Sequence, residues 1–141
     1  PRLLDMKIEP FLVSSTVSIV IGQRLVRKIC TKCREEKQLS EQEYSNLLQN
    51  VSEKVLKGNK KFFFGRGCED CAGSGYKGRI VIHEVLVADE EIREAILRKA
   101  SSTEMKQIAI KNGMTTMIED GFQKALLGIT TVEEVLRVTH E

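Results

Sequence analysis

The sequence predicts an α+β fold, in which strands and a cysteine-bearing segment precede a C-terminal cluster of short helices. Four cysteines form two Cys-x-x-Cys pairs, Cys30–Cys33 and Cys68–Cys71, and runs rich in β-branched or aromatic residues flank them. The last third instead carries repeated Ser/Thr-x-x-Glu capping boxes, each followed by apolar residues at helical spacing. Because strands and helices occupy separate stretches of the chain, α+β is the expected class.

The first elements precede the first cysteine pair. Pro10 suits the first turn of a helix, where its missing N–H costs nothing. The next stretch, Phe11–Ile21, is apolar, and its β-branched residues suit a strand as well as a helix, so periodicity leaves both open. Gly22 is expected to end this element. Gln23–Ile29 is then predicted to be a strand that runs into the cysteines.

One helix and two strands are predicted around the second cysteine pair. Ser40 and Glu43 have capping-box spacing and predict a helix that continues to Val51. Lys61–Phe64 indicates a short strand before the pair. After the pair, Arg79–Val87 is a strong strand candidate, with apolar residues on both faces near its start, typical of a central strand covered on both sides.

The C-terminal third is predicted to be a compact cluster of short helices. Asp89 can cap the first of them. Capping boxes start the others, and a glycine lies where two of these helices should end. The boxes are Ser101 with Glu104, Thr116 with Glu119, and Thr131 with Glu134, and the glycines are Gly113 and Gly128.

The cysteine spacing predicts a structural zinc site. Two residues between the members of a pair allow both thiolates to face one tetrahedral ion, and two such pairs complete a four-sulfur site. Such a site is closed, so the zinc would stabilise the fold instead of catalysing a reaction. Metal binding is expected to hold residues 30–71 as a rigid projection from the core. The predicted ligands are Cys30, Cys33, Cys68 and Cys71, and the second pair is surrounded by glycines that permit tight turns.

Two other interpretations of the cysteines stay open. Disulfide bonds are one, although nothing resembles a secretory signal and a chain of 141 residues does not need such cross-links. A thioredoxin-like redox dithiol is the other, but it needs only one Cys-x-x-Cys and leaves the second pair without a role.

No residue is predicted to be catalytic, and none is predicted to bind a nucleotide or other organic cofactor. The two histidines, His83 and His140, lack metal-ligand spacing to any partner, and His83 is expected to be a structural residue of a strand. The sequence contains no Gly-x-x-x-x-Gly-Lys-Ser/Thr phosphate loop. The chain is therefore not expected to bind and hydrolyse ATP by itself.

Charge is unevenly distributed, although the net value is only +2. Residues 23–79 carry a net charge of +6, and residues 80–141 carry −4. The basic segment would suit an acidic partner, an anionic lipid surface or nucleic acid, but solvated faces without a specific target are more common. No apolar run reaches the roughly 20 residues of a membrane-spanning helix.

A series of sequence stretches extends over nearly the whole chain, namely Arg2–Met6, Glu9–Ser15, Gln23–Cys33, Gly67–Cys71, Gly75–Arg79, His83–Glu84, Gly113–Met114, Glu119–Gly121 and Gly128–Arg137. In this order they resemble the C-terminal part of the type II secretion and type IV pilus assembly ATPases, the hexameric traffic ATPases. The order and number of the stretches make this resemblance far more specific than a Cys-x-x-Cys pair.

The resemblance implies a division of the chain. Residues 1–29 and 78–88 would be the last helix and strands of a RecA-like α/β core, residues 30–77 an inserted tetracysteine metal-binding subdomain, and residues 89–141 a helical subdomain. It also implies that Phe11–Ile21 is helical. Arg24 and Arg27 match family positions in the core strand, where we expect packing or subunit contacts.

The resemblance also implies a longer parent protein, and the start of this chain without an initiator methionine suggests a piece of one. The parent would be a cytoplasmic homohexamer, peripheral to the inner membrane, in which ATP hydrolysis with Mg²⁺ drives pilin or pseudopilin assembly and protein export. Its partners would be neighbouring subunits and an inner-membrane platform protein. The phosphate loop and the acidic and histidine motifs would lie upstream. Four cysteines favour an assembly motor over a retraction ATPase.

Two other classes stay open. A basic zinc ribbon would bind nucleic acid through the +6 segment and Phe62–Phe64, although three adjacent phenylalanines of a strand cannot all face one side. The Cys68-x-x-Cys71-x-Gly73-x-Gly75 motif matches one repeat of the cysteine-rich region in Hsp40 chaperones, but those proteins need several such repeats. Nucleic acid is therefore an unlikely partner on the sequence alone.

Overall fold

The computed structural model describes residues 6–49 and 51–139, and within these ranges the protein is an α+β fold with two small sheets. The predicted residues Arg2–Asp5 and His140 lie outside the described residues. The chain divides into two compact units, one of residues 1–22 and 84–116 and the other of residues 23–83 and 117–141. Among the described residues, no helix combines the length and apolar content needed to cross a bilayer.

The described part of the first unit contains three helices: α1 (Pro10–Thr16), α4 (Glu90–Leu97) and α5 (Ser102–Lys111). Asp89 caps α4 by accepting a hydrogen bond from the Ile92 N–H at 3.0 Å, as predicted. The helices pack their apolar faces together and form a core, because apolar residues recur every three or four positions along each helix and so lie on one face. The buried members of this core are Val13, Ala88, Ile92, Ala95, Ile96, Met105 and Ala109.

The second unit contains a ribbon of two antiparallel strands, β2 (Arg34–Gln38) and β3 (Lys61–Gly65), with Arg34 opposite Gly65 and Gln38 opposite Lys61. Between these strands lie two short helices, and two longer helices follow later in the chain. The four are α2 (Glu41–Leu47), α3 (Glu53–Leu56), α6 (Met117–Leu126) and α7 (Val132–Thr139).

The segment between the cysteine pairs does not stand away from the second unit as a projection. Its apolar side chains share one core with α6 and α7, in which Leu56 and Phe122 are fully buried. The sequence pattern of this segment showed a helix and a strand but not what covers them, so its packing on α6 and α7 was not predicted. The buried members are Tyr44, Leu47, Val51, Leu56, Phe62, Phe122, Ala125 and Val135.

The second sheet pairs β1 (Ile19–Ile29) with β4 (Tyr76–Val87). The helix implied for Phe11–Ile21 is confirmed only to Thr16, and Ile19–Ile21 and Gly22 belong to β1. The hydroxyls of Ser15 and Thr16 donate to the Leu12 carbonyl, which competes with further helical hydrogen bonds, and the β-branched residues that follow suit a strand. β4 is not a central strand among the described residues, since β1 is its single neighbour there.

Helices α2, α5, α6 and α7 begin where their caps predict, whereas α2 ends at Leu47 instead of continuing to Val51, and the start of α3 was not predicted. Ser40 and Glu43 form a reciprocal capping box at the start of α2. Ser101 caps α5 through the Glu104 N–H at 3.2 Å. α6 begins directly after Thr116. Gly113 and Gly128, predicted to end helices, follow α5 and α6 with φ of 97° and 70°.

Candidate metal centre

The four cysteines lie at the open end of the β2–β3 ribbon, where the chain enters β2 and leaves β3. β1 ends at Ile29, and the next residue, Cys30, donates its backbone N–H to the Gly75 carbonyl at 2.9 Å. Cys33 directly precedes β2. Cys68 follows the end of β3, and Cys71 closes a short 3₁₀ turn, Glu69–Cys71. Both ends of the segment formed by residues 34–67 therefore meet at the cysteines.

The sulfur atoms have the spacing of a tetrahedral metal site. The Sγ atoms of Cys30 and Cys68 are 3.8 Å apart, those of Cys33 and Cys71 3.8 Å, and those of Cys68 and Cys71 3.7 Å. All four lie within 4.8 Å of one another. Four sulfurs placed ~2.3 Å from a zinc ion at tetrahedral angles would be about 3.8 Å apart. The residues present therefore fit a single tetracoordinate metal ion.

The same distances exclude the disulfide interpretation in this structure. A disulfide bond joins two sulfurs at about 2.0 Å, whereas the three short Sγ–Sγ separations here are 3.7–3.8 Å and all four thiols are free. A lone redox dithiol is disfavoured as well, because both pairs contribute to one cluster. Cys30, Cys33 and Cys71 are buried and Cys68 is half-buried, so water has little access to the cluster.

Backbone N–H groups point at the sulfurs. The N–H of Gly67 donates to Cys33 Sγ at 3.3 Å, and Cys71 Sγ accepts from Cys68 at 3.2 Å and from Gly75 at 3.3 Å. Burial opposes ionisation of the Cys71 thiol, but these two N–H groups bring its pKa down to about 6. Burial raises the pKa of the Cys33 thiol to about 12 despite the Gly67 donor.

The pKa is raised for the Cys33 thiol and lowered for the Cys71 thiol, so all four thiols ionise together only if a cation is bound. Four thiolates at this spacing repel one another, so without a metal some of the sulfurs keep their protons. A bound divalent ion supplies the missing positive charge and deprotonates coordinating thiols outright. The donor set, thiolates only, suits zinc better than the hard cations magnesium or calcium.

Three charged side chains surround the cluster. Asp70 lies between the two cysteines of the second pair and forms ion pairs with Lys77 at 2.8 Å and Lys32 at 3.3 Å. The hydrogen bonds from Lys77 and Lys32 lower the pKa of the Asp70 carboxyl, so it is ionised at neutral pH. A zinc ion with four thiolates carries a net charge of −2, which two nearby lysines partly offset.

Two glycines let the loop after the second pair approach the end of β3. A Cβ on Gly65 would lie 2.0 Å from the Gly75 oxygen, and a Cβ on Gly75 would lie 2.4 Å from the Gly65 oxygen. Gly75 also has φ of +76°, which side-chain-bearing residues rarely adopt. Because Gly75 supplies both a carbonyl to Cys30 and an N–H to Cys71, this contact positions two of the four sulfurs.

Other residues singled out in the sequence lie apart from the cysteine cluster. His83 pairs with Asp120, whose carboxylate accepts from the His83 backbone N–H at 2.9 Å and lies 3.4 Å from its Nδ1. Of the three phenylalanines in β3, Phe62 is buried, Phe63 half-buried and Phe64 exposed at 38%. A stacking platform of all three is therefore excluded, as strand alternation predicted.

The sequence analysis missed an ion-pair cluster centred on Glu134. Only its capping role was predicted, and its N–H does donate to Thr131 Oγ1 at 3.3 Å. Its carboxylate, however, is buried and accepts from the Arg27 backbone N–H at 2.9 Å, the Arg27 side chain at 2.6 Å and Arg137 at 3.0 Å. Arg27 also stacks on Tyr76, with its Cζ atom 4.0 Å from the ring centre. The available signal was that Arg27, Glu134 and Arg137 all lie in stretches that resemble the family.

Comparison with known proteins gives consistent similarities. The family model described as type II/IV secretion system protein matches residues 1–137. The chain is 48% identical over 140 residues to a Thermus thermophilus protein named type IV pilus assembly ATPase PilB, an alignment that covers 99% of this chain and 15% of that protein.

Two type II relatives give a similar result. The chain is 42% identical over 141 residues to the type II secretion system protein E of Xanthomonas campestris pv. campestris, with 99% of this chain and 24% of that protein covered. It is also 42% identical over 141 residues to the type II secretion system protein E of Pseudomonas aeruginosa, with 99% and 27% covered. The chain thus spans between 15% and 27% of the length of these relatives.

Proposed function

Because this chain belongs to the type II/IV secretion system protein family, we propose that it is the C-terminal part of a secretion or pilus-assembly motor. In the longer protein, ATP hydrolysis in a hexamer would be coupled to pilin or pseudopilin assembly and protein export. The observation that carries this proposal is the similarity over 99% of the chain both to a pilus assembly ATPase and to type II secretion proteins.

The chain would contribute structure and contacts to that motor, not the chemical step. It has no phosphate loop, so ATP and Mg²⁺ would bind to the rest of the longer protein. We assign residues 1–29 and 78–88, which contain α1, β1 and most of β4, to the end of a RecA-like core. Several apolar side chains of this region are more than half exposed, among them Phe11 at 61% and Ile21 at 60%, as expected if further core elements cover them.

We propose that Cys30, Cys33, Cys68 and Cys71 bind one structural zinc ion, at the base of a metal-binding subdomain of residues 30–77. The supporting observations are sulfur spacing near 3.8 Å, the burial of three of the thiols and backbone donors to two of the sulfurs. The zinc would tie β1 and β2 to the turn after β3, and so fix the segment that packs on α6 and α7.

The proposed partners are neighbouring subunits and an inner-membrane platform protein, at the cytoplasmic side of the inner membrane. Residues 89–141 would form the helical subdomain. Two lysines of the basic segment already pair with carboxylates of the same segment, Lys60 with Glu41 and Lys61 with Glu36. Their charge is therefore partly neutralised before any contact with a platform protein. The competing proposal, a nucleic-acid-binding zinc ribbon, loses the stacking platform on which it depended, since Phe62 is buried.

Elemental analysis of the chain purified without chelator tests the metal site. One zinc per chain with four thiols protected from a thiol reagent is the expected result. Free thiols and no zinc, in protein that also fails to take up added zinc, would overturn the proposed site. Cys33→Ser should lower zinc affinity, whereas Ser45→Ala, on the exposed face of α2, should not.

The motor proposal needs a test in the bacterium that encodes the longer protein. Deleting the gene should abolish either type IV piliation or type II secretion of a reporter enzyme. A chromosomal change of Cys33 and Cys68 to serine should reproduce the loss, with Ser45→Ala as the matched control. Normal piliation and normal secretion in the deletion strain would refute the motor function while leaving the zinc result intact.

A further inference from the structure

Three arginines of the second unit line a pair of adjoining cavities. One cavity, of about 410 Å³, is lined by Leu25, Arg27, Arg79 and Arg137. The other, of about 310 Å³, shares Arg27 and Arg79 and is completed by Ser74, Tyr76 and Gly78. No acidic side chain of the described residues lines either cavity. Both volumes lie in the range of small-molecule sites, about 300–1,000 Å³.

One carboxylate compensates part of this positive charge. Glu134, whose side chain is 2% exposed, accepts hydrogen bonds from Arg27 and Arg137 and is the acid paired with both. Two of the three guanidinium groups therefore share this one buried carboxylate. Because Glu134 is buried and already accepts from two arginines and one backbone N–H, it has little capacity to bind a third arginine.

Two of the arginines are held in place before any ligand arrives. The Arg27 side chain is fixed by Glu134 on one side and by the ring of Tyr76 at 4.0 Å on another. Arg137 donates to Glu134 through Nε and Nη2, both at 3.0 Å. Their side chains are nevertheless 49% and 50% exposed. A ligand would therefore meet ordered donors, which lowers the entropic cost of binding.

Arg79 is the arginine whose charge is left uncompensated. It is exposed, lines both cavities, and its side chain has no ion pair or hydrogen bond with any residue that the structure describes. A guanidinium offers five N–H donors in a planar fork that matches the oxygens of a phosphate in bidentate geometry.

From this arrangement we propose that Arg79, together with Arg27 and Arg137, binds a phosphate group. The group belongs either to a free phosphate-bearing molecule that enters the cavities or to the headgroup of an anionic lipid. Both sources share the chemistry that the arginines recognise, and the cavities are open to solvent and so accessible to either. The site lies outside the cysteine cluster and does not depend on the proposed motor function.

Calorimetric titration of the 141-residue chain with sodium pyrophosphate, at low ionic strength and in a buffer without phosphate, tests the free source. Co-sedimentation with phosphatidylglycerol vesicles, compared with phosphatidylcholine vesicles, tests the lipid source. The variant is Arg79→Gln, which should fold normally because Arg79 has no partner to lose. Arg66→Gln is the matched control, since Arg66 is 72% exposed and lines neither cavity.

Arg79→Gln removes charge-assisted hydrogen bonds to the phosphate, so it should weaken binding at least about tenfold. Weakened pyrophosphate binding supports the site with a free ligand. Weakened vesicle binding, with no pyrophosphate binding, supports it with a lipid headgroup. The proposal is overturned if neither probe binds the unmodified chain. It is equally overturned if Arg79→Gln and Arg66→Gln weaken binding to the same extent, because general electrostatic attraction then suffices.

Discussion

Replacing Glu134 with glutamine should destabilise the protein at neutral pH. The carboxylate is 2% exposed and accepts from the Arg27 backbone, from the Arg27 side chain at 2.6 Å and from Arg137 at 3.0 Å. Glutamine keeps the shape of the side chain but removes its charge, and its amide nitrogen turns one acceptor into a donor that faces a guanidinium. The change therefore weakens the contact that joins the start of α7 to β1.

The magnitude follows from the pKa of the Glu134 carboxyl. Burial opposes its ionisation, but Arg137 and Arg27 outweigh that effect and lower its pKa from 4.5 to about 2. At 1.36 kcal/mol per pH unit this difference corresponds to about 3 kcal/mol. Both arginine side chains are about half exposed, 49% and 50%, and solvent screens the interaction, so we expect a loss of about 2 kcal/mol.

The sign gives a pH signature. A group whose pKa is lower in the folded state stabilises the fold above its unfolded pKa, and this stability is lost as the pH falls toward the folded pKa. The difference in the free energy of unfolding between the unmodified chain and Glu134→Gln should therefore have its full value above pH 5 and shrink between about pH 4.5 and pH 2.

Urea unfolding, followed by circular dichroism at several pH values with zinc present, measures this difference. The matched control is Glu133→Gln, which removes an exposed charge from the same helical turn and should change the free energy of unfolding by less than about 0.5 kcal/mol. Equal effects of the two variants at pH 7, or a difference that does not shrink in acid, would refute the reasoning.

Three further predictions concern the metal loop, the core and the metal. Gly75→Ala should lower the free energy of unfolding by more than about 2 kcal/mol and weaken zinc binding, because its Cβ would lie 2.4 Å from the Gly65 oxygen at φ +76°. Gly73→Ala is the control, measured in the same unfolding and zinc-binding assays: its Cβ would meet open space at φ +75°, so it should lower the free energy of unfolding by only about 1 kcal/mol. Phe122→Ala should cost about 3–5 kcal/mol in urea unfolding, since Phe122 is fully buried, whereas Leu127→Ala, 67% exposed, should have little effect. Removing zinc with a strong chelator should lower the thermal unfolding midpoint, and re-adding zinc should restore it; an unchanged midpoint would contradict a structural role.

Local features were predictable from the sequence. Ser40 and Glu43 form the expected capping box, and Asp89 caps the expected helix. The spacing of Cys30 and Cys33 indicated that both thiols could face one point, and the structure brings all four thiols together there. Each of these predictions depends on residues within three or four positions of one another, where backbone geometry alone decides which atoms meet.

The boundary between α1 and β1 was less predictable. Propensity left Phe11–Ile21 open between helix and strand, and the resemblance to a family favoured helix throughout. The structure ends the helix at Thr16 and places Ile19 in β1, beside β4. Strand pairing supplies backbone hydrogen bonds from a segment more than fifty positions away, which no short sequence window contains.

The sequence by itself therefore determined most of the helix starts, the strand segments Gln23–Ile29, Lys61–Phe64 and Arg79–Val87, and the spacing within each cysteine pair, because these follow from interactions between near neighbours. Strand β2 and the short helix α3 were not predicted. Only the tertiary structure decided what covers each apolar face and which charges meet. Arg27 and Glu134 are 107 positions apart, and the packing of α7 beside β1 creates their contact. The same packing leaves Arg79 without a carboxylate partner among the described residues, since burial and charge pairing depend on the whole fold.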